Sequence, residues 1–317
     1  MNISVYITSY NQCAYLREAI ESVLAQTLRP RELIVVDDAS TDGSPDLIRD
    51  YARRHPGLIK PILHAQNRGV AQVRIAALNA ATGDCVTYVD GDDRMLPQKL
   101  EREAAALARH PEAQLVFSNH YNMTPEGRRI DTWIRDGEQP PEGDVFVQTF
   151  ARDFPRRDIF RMELARLDTI RRAGLHDAGL PVFEDYDYRI RLTKQGRATY
   201  VNEPLFEIRR HGAGLSSMRA EQKLSILRHI FAKNTYLLAD LDPCARAHVY
   251  RRYHQWMANF ARQAGHAALH DASRSFLRRR FTAAARFGFV ARHAPDMMTL
   301  GDFYCLFLPA RAAEQWI

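Results

Sequence analysis

Between residues 3 and 118 the chain alternates short β-branched runs with stretches of helical periodicity. That pattern predicts successive βαβ units around a largely parallel sheet. ISVYITS, residues 3–9, predicts a first strand. Leu16, Ala19, Ile20, Val23 and Leu24 follow at helical spacing and predict an amphipathic helix with Asn11 as its N-cap. ELIVVDD, residues 32–38, predicts a second strand, and the capping-rich turn ASTDGS leads from it into a helix that ends near Arg54. LIKPIL, residues 58–63, predicts a third strand, which Pro61 confines to an edge or an end because proline cannot donate to a ladder. A helix over 70–81, a strand over 85–89, a helix opened by Pro97 and a strand over 114–119 complete this half.

The middle of the chain is less regular. Residues 120–157 carry Pro140-Pro141, glycines and charged turns, and predict a long connection with the character of a flap. Helical spacing returns over 162–172 and 185–194, with short strands predicted at 198–202 and 205–209. Beyond residue 217 the spacing is helical only, through Leu224, Leu227 and Phe231 and then Val249, Tyr253, Trp256 and Phe260. This change of character predicts an α/β domain over 1–217 and a helical region over 218–317.

Composition narrows the class. With 317 residues, 46% hydrophobic and 26% charged, the chain can bury one large core and a smaller one. No apolar run approaches the roughly 18 residues of a membrane span, and MNISVYITSYN lacks the basic flank of a secretion signal, so the expected location is the cytoplasm. Cys13, Cys85, Cys244 and Cys305 are too scattered for a zinc site or a disulfide framework, and reduced thiols are expected. The net charge of +6 favours anionic partners, but no nucleic-acid motif accompanies it. From Arg274 to Arg292 six arginines alternate with aromatic residues and no acid. Two readings stay open there: peripheral contact with an anionic membrane on its inner face, or a bundle packed on the catalytic domain or on a second subunit of a homodimer.

In an open α/β sheet, ligands bind at the carboxyl ends of the strands. The polar residues predicted there are Thr8 to Tyr10, Asp37 and Asp38, Arg74, and the acids of YVDGDD, Asp90, Asp92 and Asp93. Three carboxylates in four residues repel one another unless a cation joins them, and Asp90 with Asp92 offers hard oxygen ligands to Mg²⁺ or Mn²⁺. A solvated acidic turn capping the next helix is the plainer alternative. DDASTDG is likewise ordinary turn sequence, and Glu184-Asp185 is an ordinary acidic helix start.

Five strings bear on this choice: SVYITSYNQCAYLREAIESVLAQT, ELIVVDDASTDGS, NRGVAQVR, ATGDCVTYVDGDD and FEDYDYRIRL. Their order resembles that of the family 2 glycosyltransferases, which have the nucleotide-sugar-binding GT-A fold. The resemblance runs from residue 3 to about 217. It implies that Thr8, Tyr10 and Asp38 line a nucleobase pocket, with Asp38 accepting from a uracil-type N3–H. Arg74 would sit near the base or the diphosphate, Asp90 near the ribose, and Asp92 on a metal that bridges the phosphates. Glu184-Asp185 resembles the family's acidic pair with the Asp as catalytic base, and His211 resembles a downstream metal or diphosphate ligand. The chain departs from the family pattern at Ile75 and Ala77, where Asn and Gly are usual, and Asp93 has no assigned role.

The expected function is therefore a metal-dependent inverting transferase, with UDP-sugar favoured as donor. Its acceptor is a hydroxyl on a saccharide or lipid-linked molecule in bacterial surface polysaccharide or glycolipid assembly. A departing diphosphate needs positive charge, from Mn²⁺ or Mg²⁺ on Asp92, Asp90 and His211, helped by Arg74 or Arg210. The attacking hydroxyl needs a base, Asp185. The acceptor is expected around Asn119 to Tyr121 or Trp133. A non-catalytic nucleotide-sugar-binding scaffold is the alternative. A sugar-1-phosphate nucleotidyltransferase is disfavoured because TSYNQCAY has no glycine for a phosphate loop.

Overall fold

The computed structural model describes residues 1–211 and 220–263, and the described chain divides into two compact units. The first takes in residues 1–145 and 154–211. It holds a nine-stranded sheet built from β1 (Ile3–Ser9), β2 (Glu32–Asp37), β3 (Ile59–Leu63), β4 (Cys85–Asp90), β5 (Arg94–Met95), β6 (Ala113–Met123), β7 (Arg129–Thr132), β8 (Leu164–Arg166) and β9 (Arg197–Arg209). The order is β3-β2-β1-β4-β8-β6-β9-β5, with β7 paired to β6. The four strands β3, β2, β1 and β4 are parallel, β8 runs against both β4 and β6, and β9 is parallel to β6.

Every residue of β1 and β2 is buried, the mark of parallel strands covered on both faces. Helices α1 (Cys13–Leu24), α2 (Ser44–Arg54), α3 (Val70–Ala80) and α4 (Lys99–Arg109) connect these strands. Leu16, Ala19, Ile20 and Val23 form the buried stripe of α1 that their spacing predicts. Pro61 lies in β3 at the edge of the sheet, where its missing N–H costs no ladder bond.

Four local expectations are corrected. Asn11 does not cap α1, for Gln12 holds that position; Asn11 takes a positive φ of 52° and its Oδ1 accepts from Thr41 N at 2.8 Å, tying two loops together. Residues 162–172 are not one helix, because β8 inserts between β4 and β6 before α6 (Leu167–Ala173) begins. The stretch 120–157 is not one long connection: β6 continues to Met123, β7 pairs with it, and α5 (Phe146–Ala151) follows. The two short strands after α7 (Glu184–Lys194) are one irregular strand, β9, whose pairing with β6 shifts register around Ser118 and Asn119. Pro204 sits in that irregularity opposite Asn119.

The second unit joins residues 146–153, which contain α5, to α8 (Ala220–Asn234) and α9 (Pro243–Gln263). Phe231 anchors it, with Tyr253 stacked at 3.8 Å and Phe150 at 5.5 Å. The predicted boundary at 217/218, the basic stretch from Arg274 to Arg292 and Cys305 lie outside the described residues. Among the described residues no helix is long and apolar enough to cross a membrane, and Cys13 and Cys85 carry free thiols.

Candidate active site

The acid turn begins where β4 ends beside β1. Thr8 and Asp90 are register partners, and Thr8 Oγ1 donates to Asp90 Oδ1 at 2.8 Å. Gly91 follows, its N–H donating to Thr8 O at 2.9 Å. A Cβ at this position would lie 2.6 Å from Gln12 Oε1 and 2.8 Å from Thr8 O, so the turn admits only glycine. Behind it, Arg74 of α3 is buried, with its guanidinium 4.4 Å over the Tyr88 ring. Arg74 Nη2 donates to Asp90 Oδ1 at 2.9 Å, and its Nε lies 3.4 Å from Glu184 Oε1. This one arginine therefore ties the acid turn to the Glu184-Asp185 pair.

Asp92 Oδ2 lies 2.8 Å from His211 Nε2, and the His211 ring stacks on Tyr15 of α1. Burial and then the nearby Asp90 charge push the Asp92 carboxyl above its usual range, while His211 pulls it back. Asp93 is buried and accepts from Arg209 N at 2.7 Å; burial, Asp92 and Asp90 raise its carboxyl further still. Arg209, which sequence reasoning passed over, clamps the turn. Its Nε donates to Asp92 O at 2.8 Å, its Nη2 to Glu18 Oε2 at 2.8 Å, and its guanidinium lies over Tyr15.

On the other side, Phe183 adopts a left-handed φ of 60° and starts α7 with both acids in its first turn. Glu184 is buried; desolvation and then the Asp185 charge push its carboxyl up to about 7. Asp185 is the more open of the two, with its side chain 27% exposed. Burial acts to raise its carboxyl, but the guanidinium groups of Arg189, Arg161 and Arg74 outweigh this and hold it well below the usual range. Arg189 Nη1 donates to Asp185 Oδ2 at 2.7 Å, Nη2 donates to Tyr88 O–H oxygen at 2.6 Å and to Glu163 at 3.0 Å. Sequence reasoning passed over Arg189, although its spacing of four residues from Asp185 on a helix is a signal that could have found the pair. Glu163 has no comparable signal, since it arrives from the misjudged 162–172 segment.

That segment is presented by a strained residue. Met162 is buried with φ at 49°, and its carbonyl accepts from Lys99 Nζ at 2.8 Å and from Thr87 Oγ1 at 3.1 Å. The reversed backbone carries Glu163 to Arg189 and Arg161 to the neighbourhood of Asp158 and Asp185.

The family model described as "Glycosyl transferase family 2" matches residues 4–163, half of the chain. The chain belongs to glycosyltransferase family 2. An uncharacterised Mycobacterium tuberculosis protein is 39% identical over 141 residues, 44% of this chain and 39% of that protein. The chain thus spans about two fifths of the length of that relative. The putative teichuronic acid biosynthesis glycosyltransferase TuaG of Bacillus subtilis is 28% identical over 216 residues, 68% of this chain and 81% of TuaG. Among solved structures, S. aureus TarS 1-349 in complex with UDP-GlcNAc superposes with a TM-score of 0.62 at 18% identity, over 99% of this chain and 92% of that one. The mannosyltransferase PcManGT from Pyrobaculum calidifontis, in complex with GDP-Man and Mn²⁺, gives 0.57 at 18%, over 99% and 87%. These likenesses establish the GT-A fold.

The remaining strand-end residues of this family 2 member each have a defined setting. Tyr10 is half exposed just beyond β1. Asp38 accepts from Arg68 N at 2.9 Å and Gly69 N at 2.8 Å and meets His64 Nδ1 at 2.8 Å, which leaves its carboxylate about one open lone-pair position. Asp37 is used by its own turn, accepting from Ser40 N and Oγ. Ala77, where the family usually has Gly, is buried in α3. Arg210 donates to Asn122 Oδ1 at 2.8 Å and, among the described residues, makes no hydrogen bond to the acid turn. Trp133 is buried against Phe117 and Phe154, and the Asn119 side chain is spent on the Ile134 backbone, so neither is open to an acceptor.

Asp92 and His211 suit a divalent cation: a carboxylate and an imidazole meet where burial and neighbouring acids leave negative charge uncompensated. Asp90 engages Thr8 and Arg74 through Oδ1. Among the described residues no three His, Cys, Asp or Glu side chains gather as a metal-ligating group. A cation here would therefore complete its shell with phosphate oxygens and water.

Proposed function

We propose that this chain is a metal-dependent, inverting glycosyltransferase that moves a sugar from a nucleotide diphosphate donor, UDP-sugar favoured, to a hydroxyl acceptor. The reaction machinery is assigned to residues 1–217. Tyr10 and the open position on Asp38 face the nucleobase, and Asp90, held by Thr8 and Arg74, faces the ribose. Asp92 and His211 hold the metal. When bound, Mn²⁺ or Mg²⁺ supplies the positive charge that a departing diphosphate requires.

Asp185 is the base. Arg189 keeps it ionised at neutral pH, and its partial exposure lets an acceptor hydroxyl reach it. The hydroxyl oxygen attacks the anomeric carbon as its proton passes to Asp185, and the bond from that carbon to the phosphate oxygen breaks with its electron pair leaving on the diphosphate. Attack opposite the leaving group inverts the anomeric configuration. Glu184 is too enclosed to meet an acceptor and instead balances Arg74.

The observation that carries this reading is the bridge made by Arg74, which puts the acid turn and the base pair on one buried cation. The likeness to TuaG supports a place in surface polysaccharide assembly. Thermal-shift measurements with UDP, GDP and their sugars, with and without Mn²⁺, test it. One diphosphate should stabilise the chain strongly and only with metal, because stabilisation follows ligand concentration over Kd. No response to any nucleotide would sink the reading; a response with no turnover would leave only the scaffold alternative.

A further inference from the structure

Beside Asp185 lies a second patch of positive charge that none of these steps uses. Arg161 touches Asp158 only at 3.4 Å, long for a charge-assisted pair, and its buried Nε has no hydrogen-bond partner. Arg210 makes no ion pair among the described residues; its Nε is fixed by Asn122, whose Nδ2 donates to Asp131 Oδ1 at 2.6 Å. Asp131 in turn holds Arg156 at 2.9 Å, so that acid is already occupied, while Asp158 and Asp93 act on Arg210 without pairing with it. Along the end of β9 Arg209 and His211 bond to the acid turn, while Arg210 bonds to Asn122 of β6. Arg161 and Arg210 sense each other's charge, and both act on the buried ring of His120. Carboxylates lie around both groups, yet Arg161 meets one only at 3.4 Å and Arg210 pairs with none among the described residues, so the two guanidinium groups keep donors for an anion. Arg161 is also firmly presented, because Lys99 and Thr87 pin the carbonyl of Met162 next to it.

We propose that Arg161 and Arg210 bind a carboxylate or phosphoryl group carried by one of the two saccharide substrates, at a subsite beside Asp185 and separate from the nucleotide diphosphate. The inference rests on the glycosyltransferase reading and gives its substrates a chemical class: at least one of them is anionic beyond the nucleotide. It also moves Arg210 from the leaving group, where sequence reasoning put it, to the substrate's own charge.

Calorimetric titration of the full chain with Mn²⁺ present separates the sources. For the donor arm, UDP-glucuronate is compared with UDP-glucose; for the acceptor arm, glycerol phosphate is titrated into UDP-saturated protein. One arm should show binding at least about tenfold stronger for the anionic probe, the factor a charge-assisted hydrogen bond supplies. Arg161→Gln and, separately, Arg210→Gln should abolish that preference while UDP affinity stays unchanged, and Arg161→Lys should restore part of it. The proposal is overturned if neither arm favours its anionic probe, if both Gln variants keep the preference, or if they weaken UDP itself, which would assign the arginines to the diphosphate. Should neither UDP nor GDP bind, the glycosyltransferase reading fails. Glycerol phosphate titrated without nucleotide then still reads the arginine pair on its own.

Discussion

His211 Nε2 stands 2.8 Å from Asp92 Oδ2 across 119 residues of sequence. The strand β9 makes this meeting possible, because Arg209, its last residue, fastens the carbonyl of Asp92 and the carboxylate of Asp93 and delivers His211 two positions later. His211→Ala is expected to weaken Mn²⁺ binding in the presence of UDP by about 10- to 100-fold. Titration of Mn²⁺ followed by calorimetry checks this. An unchanged metal affinity would reduce His211 to packing on Tyr15.

Asp185→Asn keeps the shape of the side chain and its reach to Arg189 but removes the proton acceptor. Turnover should fall by about 100- to 10,000-fold, with UDP affinity retained. Steady-state kinetics beside UDP titration separate the two. Equal loss of both would mean that the carboxylate serves the donor and not the acceptor.

How far the sequence could be read followed from how local the cause was. β1, β2 and β4 and the stripe of α1 were legible because fully buried runs and helical spacing are local properties. The acid turn was legible too, since crowded charge after an apolar run is visible in one dimension. Arg209, Glu163 and Arg161 were not, because their roles depend on where β9 and Met162 bring the chain. Met162 in particular reads as helix by spacing, and only its tertiary bonds to Lys99 and Thr87 stabilise a left-handed backbone there. Asn11 fails as a cap for the same kind of reason: its side chain gains a bond to Thr41 across the loops.

Glu184 carries a pH signature. Its carboxyl rises from an ordinary 4.5 to about 7, so between those values the folded chain holds a proton that the unfolded chain has released. Stability therefore falls as pH increases through this window and stays lower above it. Glu184→Gln, which mimics the protonated form, should remove that slope and stabilise the chain above pH 7, by an upper bound of about 3 kcal/mol. Urea denaturation at pH 5 and pH 8 gives the comparison. An equal effect at both pH values would show that Glu184 is not the titrating group.

Gly91→Ala should disable the acid turn without unfolding the sheet. The added methyl collides with Gln12 Oε1 and with the carbonyl of Thr8, and the second of these is backbone in the centre of the fold. The turn must then move, and Asp90 and Asp92 move with it. UDP affinity in Mn²⁺ should drop by at least about tenfold while far-ultraviolet circular dichroism is unchanged. Wild-type affinity would mean that the turn tolerates displacement and does not set the donor site.

Lys99 supplies the most severe test of how the proposed base, Asp185, is positioned. It is wholly buried, donating to Glu103 Oε2 at 2.5 Å and to the Met162 carbonyl, while Ser118 Oγ donates to the other oxygen of Glu103. Removing the ammonium leaves a buried carboxylate without its counter-charge, and Lys99→Met is expected to cost about 3–5 kcal/mol of stability. Glu103→Gln added to it removes the stranded charge and should return most of that loss, because an amide can still accept from Ser118. The double variant then folds with the Met162 carbonyl lacking its ammonium donor. Glu163 and Arg189 should lose their register on Asp185, so turnover falls while UDP affinity holds. Denaturation curves and kinetics on the single and double variants decide it. Full activity in the double variant would show that Met162 keeps its left-handed backbone without Lys99, and that the packing around it suffices.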